Sequence, residues 1–223
     1  TGSAPAAVAP LCERVEAYDI RGDSIEAARR RLGLHGLHNA SFHHLKAEEV
    51  LPDIRERHGA GSVGVVLLFA VLEHMTLAER LDTIAVCWEA LRPGGWLVVG
   101  ETPNRLVYSD EHTSLLPFFN QLPDELALRY ASRSPRADFA RSIDKARQES
   151  HARAILRLAR WGRGLSFHEF ELAIGPLDGL IVADGYEPPM DRAYPVQADE
   201  RLLLRWIAEN APSVHPAFTR RNL

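Results

Sequence analysis

The chain has 223 residues, 46% of them hydrophobic and 25% charged, which suits a globular core and excludes a disordered or fibrous polymer. Its formal charge of −4 argues against a dedicated nucleic-acid binder, which needs a net basic face to neutralise phosphates. No apolar run approaches the roughly 18 residues of a membrane helix and no signal-peptide pattern is evident, so a soluble, cytoplasmic protein acting on a small molecule is expected.

Residues 14–20, R-V-E-A-Y-D-I, alternate and read as a short strand with Asp19 at its carboxyl end. A helix should follow, capped by Asp23 or Ser24, with Ile25, Ala28, Arg29 and Leu32 at helical spacing and Gly33 as its stop. A weak strand is expected over 40–45. The run V-G-V-V-L-L-F-A-V-L at 63–72 reads as a parallel strand buried on both faces. Residues 76–91 keep a helical period through Leu77, Leu81, Ile84, Ala85 and Trp88 before the breaker Pro93-Gly94-Gly95, and W-L-V-V-G-E-T at 96–102 is a second buried strand.

Beyond Pro103 prolines become more frequent and short helices are expected, one starting at Pro123 or Asp124 and a long one over 138–160. Ser166 and Glu169 form a capping-box pattern for a helix ending near Gly175; a strand over 179–183 and a helix over 198–209 complete the expectation. Strands alternating with helices specify an α/β fold, a Rossmann-like doubly wound and mostly parallel sheet, with a helical lid or insertion in the C-terminal half. Cys12 and Cys87 lack C-x-x-C spacing, and the pair His43-His44 has no third ligand and reads as a solvated strand end, so neither a disulfide nor a metal site is expected. Between positions 129 and 163, ten Lys/Arg stand against three Asp/Glu. That stretch is either a solvated helix face or a surface greeting an anionic acceptor, such as a phosphorylated sugar, or an acidic partner.

Three segments carry a resemblance: Y-D-I at the first strand end, V-L-E-H at 71–74, and L-R-P-G-G-W-L-V-V at 91–99. In this order and spacing they resemble the class I S-adenosylmethionine-dependent methyltransferase family. A nicotinamide-dependent dehydrogenase shares the strand-end acid but not the last two motifs. The resemblance implies a cofactor-binding core over residues 1–104 and, in the same domain, an acceptor-side lid that completes the sheet over 105–223. The family opens with an acidic residue and G-x-G-x-G on a strand. Here Thr1-Gly2 directly precede S-A-P-A-A-V-A, which reads as the following helix, so Gly2 resembles the last glycine and the first strand is expected to be missing. Two apolar strands left facing across that gap would make the chain fold poorly alone, and H-P-A-F-T-R-R-N-L at the end reads as the approach to another cut strand.

By the same resemblance Gly2, Asp19, Ile20, Ala47, Glu48, Phe69 and Ala70 would contact S-adenosylmethionine. Asp19 would accept from both ribose hydroxyls and Ile20 would pack on the adenine, while Phe69 and Ala70 would lie near the sulfonium. Where the family often places an acid for the adenine amino group, this chain has Lys46, which cannot accept; Glu48 or a backbone carbonyl would take the role. For a hydroxyl acceptor, His112 is the leading candidate for the base and His74 the second. Glu73 and Glu101 are acid–base groups or tethers for a neighbouring loop. The reading that follows is O-methylation of a small molecule by in-line transfer, and the alternative is a non-catalytic module keeping the fold for binding or assembly.

Overall fold

The structure, a computed structural model, describes residues 2–108, 110–182 and 198–214. It is α/β, with parallel strands alternating with helices in the Rossmann-like manner. The chain divides into two compact units, Thr1–Gly64 with Glu89–Gly94, and Val65–Trp88 with Gly95–Leu223.

In the first unit, α1 (Ser3–Val8) follows Gly2 directly. Gly2 is buried at φ 79, and a Cβ there would lie 2.5 Å from Ala28 Cα and 2.7 Å from Ala28 Cβ. Only a residue without a side chain meets both the left-handed backbone and that close approach. The strand β1 (Val15–Asp19) pairs in parallel with β2 (Ala40–His44), placing Asp19 opposite His44. The crossover between them is α2 (Gly22–Leu34), which buries Ile25, Ala28 and Leu32 as the spacing predicts and leaves Arg29 outside. Gly33 does not stop it: the helix runs through Leu34, and Gly36, at φ 66, turns the chain so that Leu37 N–H reaches the Leu32 carbonyl at 3.0 Å.

A helix that the sequence reading did not expect, α3 (Ala47–His58), precedes the next strand. Pro52 lies inside it and none of its residues is buried, so neither propensity nor an apolar stripe announces it. Its ends do: Glu48 and Glu49 sit in the first turn, Arg55, Arg57 and His58 in the last, each sign matched to the helix dipole.

Strands β3 (Val63–Phe69) and β4 (Leu91–Gly100) form the second sheet, joined by α4 (Leu77–Ala90). Ser62 N–H bonds to Ala90 O and Ala70 N–H to Gly100 O, both at 3.0 Å and in the same sense, so this pair too is parallel. The expectation of burial on both faces is corrected. Leu68, with half-buried Val66, Leu97 and Val99, joins a core with Leu72, Ile84, Cys87 and Leu165, whereas Val65, Phe69, Trp96 and Val98 are exposed. Helices cover one face of these strands; the alternation of side chains sends the rest to the other. The stripe on α4 also differs, because Leu77 and Trp88 are exposed while Arg80, Thr83, Ile84 and Cys87 are buried.

The remaining helices of this unit are α5 (Asp124–Tyr130), α6 (Ala137–Glu149), α7 (His151–Trp161), α8 (Phe167–Ile174) and α9 (Ala198–Asn210). The long helix expected over 138–160 is two. Ser150 adopts an extended backbone and its side chain accepts from Arg153 N–H, capping α7, so that Phe139, Ile143 and Ala146 of α6 pack with Ala154 and Leu158 of α7 around Phe119. Basic residues from 129 to 160 are exposed except the half-buried Arg136, while Arg163 is buried. Residues 179–182 form no strand; Ala183 and the segment 215–223 lie outside the described residues. Among the described residues no helix is long and apolar enough to cross a membrane.

Gly2→Ala is expected to destabilise the protein by about 2 kcal/mol or more, since it adds left-handed strain to an overlap with backbone. Urea unfolding followed by circular dichroism measures it, and a loss below about 0.5 kcal/mol would mean that α1 moves off Ala28 freely.

Candidate catalytic site

The residues expected to contact a cofactor fall in both units. In the first, Asp19 ends β1 half-exposed, and its Oδ1 accepts the Arg21 backbone N–H at 2.9 Å, which fixes the turn into α2. Ile20 beside it is 59% exposed, so an apolar side chain is offered to solvent at a strand end. Ala47 and Glu48 open α3 and are exposed. Lys46 is committed through its backbone: its N–H bonds to Glu49 Oε2 and its carbonyl accepts from Glu49 N–H, both at 3.0 Å. Of the pair His43-His44, His44 is exposed at the strand end as expected, whereas His43 is not solvated, because its Nε2 lies 2.6 Å from Glu16 Oε2 and the ring stacks on Tyr18. Burial and the nearby Asp53 carboxylate push the Tyr18 phenol up to about 12.

In the second unit Phe69 ends β3, and Ala70 follows it at φ 50. A Cβ on Gly100 would come within 2.9 Å of the Phe69 ring, so the bare backbone of β4 sets where that ring lies. Glu101 has φ 55, which puts a left-handed residue directly after both strands. Such strain persists only where the surroundings enforce it.

The two candidate bases come together in this unit, with the His74 and His112 ring centroids 5.4 Å apart. Glu73 completes the group: it is fully buried, its Oε2 accepts from Thr102 Oγ1 at 3.3 Å, and its Oε1 lies 3.5 Å from His74 Nε2. Burial raises the Glu73 carboxyl above its usual value. His74 Nδ1 faces the Arg160 carbonyl at 3.2 Å, and a carbonyl only accepts, so Nδ1 carries a proton and, in the neutral ring, Nε2 holds the lone pair. The Thr113 hydroxyl donates to the Gly162 carbonyl and therefore accepts from His112 Nδ1 at 3.1 Å, which again leaves Nε2 bare. Burial, together with the neighbouring His74, holds His112 below the ordinary imidazole value.

A network that the sequence reading missed holds these groups. Arg80, 3% exposed, donates through Nε to the carbonyls of Leu72 and Met75 at 3.0 Å, and through Nη2 to those of Glu73 at 3.2 Å and Arg163 at 2.8 Å. Its Nη1 pairs with buried Glu169 at 3.1 Å, and desolvation pulls the guanidinium below its usual pKa. Arg163 N–H bonds to the Glu73 carbonyl at 2.9 Å, and its own guanidinium, brought down to about 10 by burial, binds the carbonyls of Phe119 and Leu122. A polar residue on the buried stripe of α4 was the available signal for Arg80. On the loop after β4, Asp110 accepts from the N–H groups of Thr113 and Ser114 at 3.0 and 2.7 Å, which fixes the turn carrying His112.

A family model described as a methyltransferase domain matches residues 1–97. The match makes residues 1–97 similar to the class I methyltransferases. The matched methyltransferase segment contains Asp19, Glu73 and His74, whereas His112, Thr113 and Gly162 lie beyond it. No curated protein matches the chain.

Arg80→Met is expected to cost about 3–5 kcal/mol, because it leaves the buried Glu169 carboxylate with only the longer Arg105 contact at 4.0 Å. Adding Glu169→Leu should recover part of that loss. Paired denaturant titrations check it, and additive losses in the double variant would refute the coupling.

Proposed function

We propose that the protein is an S-adenosylmethionine-dependent methyltransferase that methylates a hydroxyl of a small-molecule acceptor. The observation that carries this reading is the pair His74 and His112, each with its Nδ1 proton committed and its Nε2 lone pair available. When bound, S-adenosylmethionine would supply an electrophilic methyl on a sulfonium; as the acceptor oxygen bonds to that carbon and the sulfur–carbon bond breaks, the hydroxyl proton needs a base. His112 Nε2 takes it, with His74 second.

By the family resemblance the candidates for cofactor recognition are Gly2, Asp19, Ile20, Ala47 and Glu48 in the first unit and, taken separately, Phe69 and Ala70 in the second. The chemistry available at Asp19 suits a ribose diol, since a half-exposed carboxylate offers more lone pairs than the Arg21 N–H consumes. Lys46 offers the adenine amino group no side-chain acceptor, so Glu48, exposed at the start of α3, takes that role. An anionic group on the acceptor is favoured by a cleft of about 560 Å³ in the second unit, bordered by Arg105 and Arg163 and, on the acidic side, by Asp124. The Nε atoms of Arg105 and Arg163 are buried there with no hydrogen-bond partner. Residues 105–223 then serve as the acceptor side of the molecule. The exposed, acceptor-poor Lys46 favours a second reading, a module that keeps the fold for binding or assembly without catalysis.

Calorimetric titration with S-adenosylhomocysteine separates the two. Micromolar binding that weakens 10- to 100-fold in Asp19→Ala is expected, the size of a lost charge-assisted hydrogen-bond pair. A folded protein that binds none would leave the scaffold reading.

The His112 pKa gives a pH prediction. Because the folded value lies below 6.5, the neutral base persists under mildly acidic conditions, and kcat should fall only as pH drops through that lower value. His112→Gln should reduce kcat about 10²- to 10⁴-fold without changing S-adenosylhomocysteine affinity, and a kcat left within twofold of wild type would remove His112 from the chemistry.

A further inference from the structure

In the second unit, one carboxylate oxygen of Glu73 and one ring nitrogen each of His74 and His112 all lie within 4.8 Å of one another. Two imidazoles and a carboxylate form a donor set that proteins use for mononuclear divalent cations. Such groups also meet without an ion, and two independent observations distinguish this meeting.

The first is the state of Glu73. The side chain is fully buried, and Oε1 accepts no hydrogen bond although Oε2 has Thr102. A buried carboxylate oxygen without a donor is costly unless something electropositive sits against it. The nearest ring nitrogen, His74 Nε2, stands 3.5 Å from Oε1, too long for a hydrogen bond, and the arginines around it are engaged elsewhere. Arg80 is spent on Glu169 and on backbone carbonyls, including that of Glu73 itself. Arg160 forms a two-armed pair with Glu79, and Arg136 bonds to the His112 carbonyl and pairs with Asp138.

The second is the way the rings are held. Each histidine gives its Nδ1 proton to an oxygen acceptor fixed by other contacts, the Arg160 carbonyl for His74 and the Thr113 hydroxyl for His112. Both Nε2 atoms are thereby left as lone-pair donors. This support from the far side of the ring is what orients histidines that ligate metals. The opposite arrangement, an N–H at Nε2, would exclude a cation.

We propose that Glu73, His74 and His112 bind one divalent cation of the borderline class, Zn²⁺, Mn²⁺ or Co²⁺, and leave its remaining coordination positions open. The two nitrogens argue against Ca²⁺ or Mg²⁺, which take oxygen shells. Sharing an ion with bonds of roughly 2.1 Å requires the donors to draw to about 3.0–3.4 Å apart. The His74 ring, 42% exposed at the edge of the group, has room to make that adjustment. The sequence reading expected no metal, since it weighed only His43-His44 and the cysteines as ligands; Glu73 and His112 are 39 positions apart in the chain and meet only in the fold. Cation binding does not depend on the methyl-transfer reading. With an ion bound, the Nε2 atoms of His74 and His112 are ligands and not bases; the open positions would take the acceptor oxygen, the ion would acidify its hydroxyl and the proton would pass to solvent, a role that does rest on the methyl-transfer reading.

The test uses the whole chain, stripped with a chelator and titrated with Zn²⁺ or Co²⁺ alone by calorimetry, with the visible spectrum of the Co²⁺ form as a second signal. One equivalent binding at micromolar or lower Kd is expected, with each of Glu73→Gln, His74→Gln and His112→Gln weakening it at least tenfold and His43→Gln leaving it unchanged. Circular dichroism of each variant confirms its fold. Should Glu73→Gln unfold, His74→Gln carries the test, because its ring is half exposed. Absence of binding by the folded chain, or one equivalent retained unchanged in both His74→Gln and His112→Gln, would overturn the site. Neither result touches S-adenosylhomocysteine affinity, so failure of the metal site and failure of the methyltransferase reading are distinguishable.

Discussion

The guanidinium of Arg80 is the constraint on which the candidate site depends. Removed from water, it is matched by one carboxylate, Glu169, and by four backbone carbonyls, those of Leu72, Glu73, Met75 and Arg163. Three of those carbonyls belong to the short 3₁₀ turn at Leu72–His74 or to the residue after it, the segment that delivers Glu73 and His74. A buried cation costs too much to leave unmet, so the turn cannot relax without exposing the arginine's debt of hydrogen bonds. Glu169 serves twice, since its Oε1 also accepts the Ser166 N–H that begins α8. Helix capping and charge neutralisation thus converge on one carboxylate.

Around that anchor, protons are placed rather than merely crowded. Thr113 hands its hydroxyl proton to Gly162 and by doing so decides the tautomer of His112; a carbonyl of α7 decides that of His74. Asp110 spends both oxygens on the backbone of the same loop. Each imidazole therefore presents a defined lone pair, which serves a proton acceptor and a metal ligand equally well. The choice between those uses turns on Glu73, whose bare oxygen is an unfavourable neighbour for an acceptor oxygen and a favourable one for a cation.

The motifs with strong local physics were legible in the sequence. The strand ending at Asp19, the apolar run of β3, the helix before L-R-P-G-G and the Ser166–Glu169 cap all follow from spacing and side-chain type, and the methyltransferase match covers the first three of these. Pro52 hid α3, because a proline breaks the pattern that a reader of periodicity relies on while the helix ends carry the signal. Continuous apolarity in β3 could not reveal which residues a helix would cover, so its exposed Val65 and Phe69 were misread. His74 and His112 were singled out, but their partners were not. Glu73 was read as an acid–base group or a tether and Arg80 was not singled out, because burial of a charge is decided by contacts 80 to 90 positions away. Long-range polar pairing leaves no local periodicity to read.

Gly162 stands at φ 111 after α7, and a Cβ there would fall 2.6 Å from the His112 ring. The imidazole occupies the room that the absent side chain leaves. Positions 112 and 162 are therefore not physically independent: a side chain at 162 would have to displace the imidazole or change its tautomer. Two residues 50 apart are tied together, one of which contributes only the space it does not fill.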